Sequence, residues 1–349
     1  MNNKRTSNLL RLIAFFLTGV ILVCTFGFTV DGWLVIENDE HSQDSAPPST
    51  EADNGSSNVT VTPEDIPEVV FYNKLTGLVT SEELASISPV AYIIEKSSPL
   101  FGLSGADIII DIPTERENRL IAIRAENKNL WKIGAMAPER GYIASLANFF
   151  GASLVSLGND DIISYESCVP AKKIDISELS YKEYNSYTYT NSDLLKGSIT
   201  DQEFTASLPY IHADISDTLI FETKATKAKF DVTELSYDDQ SGTYVWLENG
   251  EAQRDLINGK TLTFTNCLIL FADSITYDNQ NGTQMVMNTI GTGSGYYLTC
   301  GSLTKVIYTS SPSGSMTLYY ENGEQLTINR GEIYIRYLKS SMKNHITIN

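Results

Sequence analysis

The sequence predicts an α+β protein: an N-terminal mixed α/β domain, then an antiparallel, hairpin-rich β domain, behind a single transmembrane helix. Three observations carry this. Residues 12–30 (LIAFFLTGVILVCTFGFTV) form an apolar run without a charge. Between residues 69 and 200, short apolar runs alternate with a stretch of helical spacing. Between residues 215 and 340, segments rich in Thr, Tyr, Ile and Val are punctuated by Asn-Gly steps.

At about 1.5 Å of rise per residue, a run like 12–30 crosses a hydrocarbon core of about 30 Å. Lys4, Arg5 and Arg11 precede it and the first acidic residue is Asp31. That asymmetry favours residues 1–11 as a cytoplasmic tail and everything after residue 30 outside the cytoplasm, at the cell membrane. The run ends without a small-x-small cleavage site, so the expectation is an uncleaved, single-pass anchor. Cleavage, or lipidation of Cys24 after Val23, are the alternatives. Residues 31–68 are dominated by Ser, Pro, Asp, Glu, Asn and Thr. They have too little apolar surface to offset chain entropy and are expected to form a disordered tether.

In the N-terminal domain, 69–200, residues 89–94 (PVAYII), 106–112 (ADIIIDI), 119–125 (RLIAIRA), 131–135 and 152–157 read as strands. Pro113 ends the second of these. Residues 142–150 (YIASLANFF) have helical spacing, with Gly151 as the stop. A short helix over 160–165 is expected behind an Asn159 cap. Strands apolar at successive positions, interspersed with helices, suggest a mixed sheet with covered faces. In the C-terminal domain, 215–340, Asn249-Gly250, Asn258-Gly259, Asn281-Gly282 and Asn322-Gly323 supply residue pairs that tolerate the positive φ of hairpin turns. The flanking composition suits pleated strands.

The chain has 43 acidic and 25 basic residues and a formal net charge of −18. Such a field repels DNA, RNA and other polyanions, so no nucleic-acid partner is expected. There are 3 histidines: His41 in the tether, His345 in the tail, and His212 alone in the fold. A His-rich metal site is thereby excluded, and any Ser-His-Asp or Cys-His apparatus would have to use His212. Residues 291–295 (GTGSG) lack the Lys-[ST] of a phosphate loop and lie among strands. They suit a bulge or a close backbone approach, and no cofactor is expected. Cys168, Cys267 and Cys300 follow the membrane run, an odd number without a CxxC pair. Free buried thiols are expected.

Several motifs then line up. Asn73-Lys74-Leu75-Thr76-Gly77-Leu78, Gly102-Leu103-Ser104-Gly105-Ala106-Asp107-Ile108, Glu115 with Arg119, Ile133-Gly134 with Arg140, and 185–190 (NSYTYT) follow one another in the first region. Tyr237-Asp238, Tyr244, Asn249-Gly250, Asp255, 291–296 (GTGSGY) and 329–335 (NRGEIYI) follow in the second. In that order they resemble the YerB-like lipoprotein family, bacterial proteins of unknown function with two conserved domains. The resemblance spans most of residues 70–337. It implies a Gram-positive-type envelope, a two-domain ectodomain and no known reaction. There are departures. The family's H-x-G-G-S-P stretch reads Ser156-Leu157-Gly158-Asn159-Asp160-Asp161 here, without His. The Arg of its Y-x-R element is Trp246, and the first Arg of its R-S-x-R element is absent near Ala137.

The remaining chemistry-bearing residues gather at strand ends. Asp107 and Asp111 share a strand face by period two. Glu115 lies past Pro113, Arg119 begins the next strand and Arg140 opens the helix. A carboxylate pair suits acid–base work on a glycosidic bond, an Arg pair suits clamping a carboxylate or phosphate, and together they suit ion pairs that fix loops. The expectation is a non-catalytic envelope protein that uses these five residues to bind an envelope protein or ligand. A cell-wall hydrolase and a purely structural envelope protein are the alternatives.

Overall fold

Ile-Ile-Ile-Asp-Ile at 108–112 and Ile-Tyr-Ile-Arg-Tyr-Leu at 333–338 are apolar on both faces of a pleat, with a single charge in each. A strand of that kind must be covered on both sides, which places it inside a sheet. The computed structural model describes residues 69–127, 129–161, 172–183, 186–199, 218–280, 282–312 and 314–349, and in it these two strands are neighbours at the centre of an 11-stranded sheet. The segments 12–30 and 31–68, Cys168, His212 and most of 160–165 lie outside the described residues.

The central sheet comprises β1 (Val90–Glu95), β2 (Ile108–Pro113), β3 (Asn118–Arg124), β4 (Ser153–Ser156), β5 (Lys173–Asp175), β6 (Thr223–Lys224), β7 (Asn266–Ala272), β8 (Gly291–Thr299), β9 (Ser302–Ser311), β10 (Ser315–Tyr320) and β11 (Ile333–Lys339). Its order is β6-β9-β8-β7-β11-β2-β3-β1-β4-β5, with β10 also paired to β9. β7, β11 and β2 run parallel, Ile333 opposite Ile108 and Arg336 opposite Asp111. β2, β3 and β1 are antiparallel, then β4 pairs parallel with β1 and β5 parallel with β4.

Alternation along the central strands feeds two cores. Ile108, Ile110, Ile112, Leu268, Leu270, Ile333 and Ile335 face one side, where Tyr142, Ile143, Leu146, Phe149 and Phe150 pack on them. The helix there is Gly141–Phe149, and Gly151 (φ +62°) turns the chain away from it. Ile109, Cys267, Ile269, Tyr334 and Leu338 face the other side. Phe230, Leu235, Tyr244, Trp246 and Phe264 of a 6-stranded antiparallel sheet cover them. That second sheet contains Lys227–Phe230, Thr233–Asp238, Thr243–Glu248, Glu251–Ala252, Thr263–Phe264 and Thr347–Ile348. The hairpin reading of the C-terminal region holds. Asn249 and Gly250 both have positive φ (51° and 85°) between strands that pair at Glu248 and Glu251.

The α+β expectation needs correction toward a mostly β protein. Among the described residues, the α-helices of the first region are the five-residue Glu82–Ser86 and the nine-residue Gly141–Phe149. Both faces of the N-terminal strands are covered, but one cover is the second sheet, not a layer of helices. The expected boundary between 200 and 215 does not divide the central sheet, because β11 and β7 continue it directly from β2. Pro67–Asn349 is one compact unit. Among the described residues no helix is long and apolar enough to cross a membrane.

The GTGSG stretch forms the first half of β8. A Cβ on Gly293 would collide with the Tyr308 ring, and one on Gly295 with the Ile269 carbonyl. These glycines admit close packing across the sheet, as the sequence suggests.

Candidate functional site

The five candidate residues fall into three settings. Asp107 sits at the entry to β2, where it accepts hydrogen bonds from Asn73 Nδ2 (2.8 Å) and Ala125 N (2.7 Å). Burial raises its carboxyl to about 6, against the opposing pull of those two bonds and of Arg124.

Asp111, four residues on, is fully buried between the two sheets. Lys96 Nζ (2.7 Å), Asn118 Nδ2 (2.8 Å), Tyr334 OH (2.8 Å) and Arg336 Nη1 all donate to it. Burial pushes this carboxyl up, but the charges of Arg336 and Lys96 outweigh it and hold the group below its ordinary value. Lys96 Nζ also reaches Glu248 (2.6 Å), which accepts from Thr233 Oγ1 and Trp246 Nε1 (both 2.7 Å). The network ties the central sheet to the second sheet. Asp111 and Arg336 are buried, and without these partners each would cost several kcal/mol.

Glu115, Arg119 and Arg140 do converge, and Asp160 is what gathers them. Arg119 donates to both Asp160 oxygens (3.2 and 2.7 Å) and to Pro138 O (2.8 Å). Arg140 Nη2 donates to Glu115 Oε1 (2.7 Å). Its Nε lies 2.8 Å from Asp160 Oδ1, an ion-pair distance without hydrogen-bond alignment, and its Nη1 is buried without a hydrogen-bond partner. The protein's own carboxylate thus occupies the Arg119 fork that an external anion would need. Next to it, Asp161 accepts from Gly141 N (2.8 Å) at the start of the helix, where a carboxylate complements the helix dipole.

Sequence reasoning missed the partners of these residues. Lys96, Tyr334 and Arg336 were legible in principle: a charge inside an apolar strand requires an opposite charge nearby, and Asp111 and Arg336 are the two isolated charges of the central strands. Asp160 gave no comparable signal, since a loop carboxylate is ordinary. In the sequence Asp255 stands out only as part of a motif. It is buried, and it accepts from Gly102 N (3.0 Å), Ser104 N (2.8 Å), Ser104 Oγ (2.6 Å) and Ile257 N (2.9 Å). It thereby fastens the loop 255–260 to the Gly102–Gly105 turn. Beside this latch opens a cleft of about 240 Å³ lined by Arg124, Asn129, Trp131, Asn258 and Lys260.

Residues 222–335 match the profile described as "Protein of unknown function (DUF3048) C-terminal domain". No curated protein matches the chain. Among solved structures, the chain resembles the crystal structure of the YerB protein from Bacillus subtilis. The TM-score is 0.64 and the identity 19%, and the alignment covers 80% of this chain and 99% of that one. At that identity the likeness speaks for the fold, while the profile match speaks for the C-terminal region. Residues 222–335 thus carry the likeness to a domain family of unknown function, and the chain as a whole shares the fold of YerB.

Proposed function

We propose that the chain is a non-catalytic binding protein of the bacterial cell envelope, anchored through residues 12–30 with its folded part outside the cytoplasm. One observation carries the non-catalytic part: each candidate carboxylate is already spoken for. Asp111 is enclosed by Lys96, Asn118, Tyr334 and Arg336. Glu115 is paired with Arg140 and accepts from Met285 N (3.3 Å), and Asp107 is bonded to Asn73 and Ala125. A glycosidase needs two carboxyls facing each other across about 5–9.5 Å of open site. Carboxyls locked into separate ion-pair networks do not supply that. The Arg119–Asp160–Arg140 cluster is a brace for the segment around 138–161, with its anion built in.

The anchoring part rests on the uncharged run and the basic residues before it. The experiment is recovery of partners from solubilised membranes with the intact chain as bait, alongside incubation of the purified chain with cell-wall material. The expectation is recovery of a specific partner or ligand and no release of sugar or peptide fragments. Fragment release that Glu115→Gln abolishes while folding is intact would overturn the non-catalytic reading. Arg119→Lys with Arg140→Lys should leave recovery intact, because a brace is lost without touching the ligand. Protection of the folded part from protease added to wall-stripped cells would overturn the topology.

A further inference from the structure

The segment Leu130-Trp131-Lys132 is inverted relative to what burial dictates. Lys132 points inward, its Nζ 2.5 Å from Glu183 and 4.1 Å from the centres of the Phe101 and Tyr189 rings. Trp131 points outward and is 59% exposed. An indole left in water beside a buried ammonium breaks the local pattern, and such breaks are expected at functional sites. The indole borders the cleft next to the Asp255 latch.

A second observation points into the same cleft. The Arg124 side chain is more than nine-tenths buried. Its Nε donates to Glu126 O (2.5 Å) and its Nη1 to Gly102 O (3.1 Å). Its Nη2 has no hydrogen-bond partner among the described residues, and the Arg124 side chain lines the cleft. Gly105 permits this, since a Cβ there would stand 2.8 Å from Nη2. Lys260 and Asn129, which also line it, are exposed, and among the described residues their side chains make no hydrogen bond or ion pair. Asn258 is held in place by Ser104 Oγ (3.1 Å).

We propose that this cleft binds an uncharged sugar ring, stacked on Trp131 and hydrogen-bonded through its hydroxyls to Arg124 Nη2, Asn129 and Lys260. The proposal rests on the binding-protein reading above and gives it a site. At about 240 Å³ the cleft is smaller than the ~300–1,000 Å³ of pockets that enclose drug-sized ligands, and it suits one ring of a chain that continues into solvent. An aromatic face with planar and cationic donors around its edge matches a pyranose, which offers C–H groups on its faces and hydroxyls on its rim. Charge selects against the alternatives. Arg124 and Lys260 oppose a cation, while Asp255 in the wall and the net charge of −18 oppose an acidic polymer. Leu130 and Ile257 also line the cleft, so a peptide side chain is the rival occupant, and the peptide probe below separates the two.

The test uses the purified full-length chain in detergent, with ligand-observed NMR on maltotriose and on tri-N-acetylchitotriose. An oligogalacturonate and an uncharged Leu/Ser peptide are the comparison probes. We expect one of the two neutral trisaccharides to bind. Trp131→Ala should weaken it at least tenfold and Lys260→Gln several-fold, both with unchanged melting temperature because both side chains are exposed. Gly105→Ala should also weaken it by crowding Arg124 Nη2. Binding of neither trisaccharide, equal binding by Trp131→Ala, or preference for the acidic oligomer or the peptide would overturn the proposal. Recovery of a membrane partner that survives Trp131→Ala, with no sugar bound, overturns the cleft and leaves the binding-protein reading standing. Absence of both removes the two together.

Discussion

Asp107 gives the protein a pH dependence of unusual sign. Most carboxylates in folded proteins are held below their unfolded value and stabilise the fold as pH rises. The Asp107 carboxyl goes the other way, from an ordinary 3.8 up to about 6, because it is buried at the entry to β2. The folded state therefore binds this proton more tightly than the unfolded chain. The resulting stability is fully present below the unfolded value near 3.8 and is lost as pH rises through about 6. A shift of about two units corresponds to roughly 3 kcal/mol, of which about 2 kcal/mol falls between pH 4.5 and 7. Asp111 works in the opposite direction, its folded value being lowered, so it contributes stability at higher pH that is lost on acidification. The Asp107 contribution is isolated by comparison with Asp107→Asn, which cannot titrate. The assay is urea unfolding followed by tryptophan fluorescence at half-unit steps from pH 4.5 to 7. The difference in unfolding free energy between variant and parent should drift by about 2 kcal/mol in favour of the variant as pH rises. A constant difference across that range would refute the argument, whatever the absolute stabilities.

Two further outcomes follow from buried groups. Asp111→Ala leaves Lys96 and Arg336 facing each other's vacated partner in the layer between the sheets, and should cost about 3–5 kcal/mol. Thermal unfolding reads this, and a loss under 1 kcal/mol would show the network to be dispensable. Cys267 is buried, and burial raises its thiol well above the usual value, whereas Cys300 is only half-buried. Alkylation of the native chain at pH 8 followed by peptide mapping should label Cys300 well before Cys267, and equal rates would contradict the packing around β7.

What the sequence determined by itself is local. Short continuous apolar runs located β1, β2, β3 and β4 to within one or two residues, and Gly151 marked the end of the helix. Asn249-Gly250 fixed a hairpin, because two positive-φ residues allow little else. The charge balance and the scarcity of histidine excluded whole classes of chemistry. What only the tertiary structure decided is which distant segments meet. The parallel pairing of β11 with β2 joins residues more than 200 positions apart, and nothing in either strand names its neighbour. The two lone charges, Asp111 and Arg336, hinted at it, but a hint of charge does not carry register. The same pairing merged two expected domains into one sheet and turned Asp111 from a candidate ligand group into a buried strut. The candidate cleft was hidden for the same reason. Its walls come from 102–105, Arg124, 129–131 and 255–260, and a site made by hydrogen bonds between segments so far apart exists only once the chain has folded.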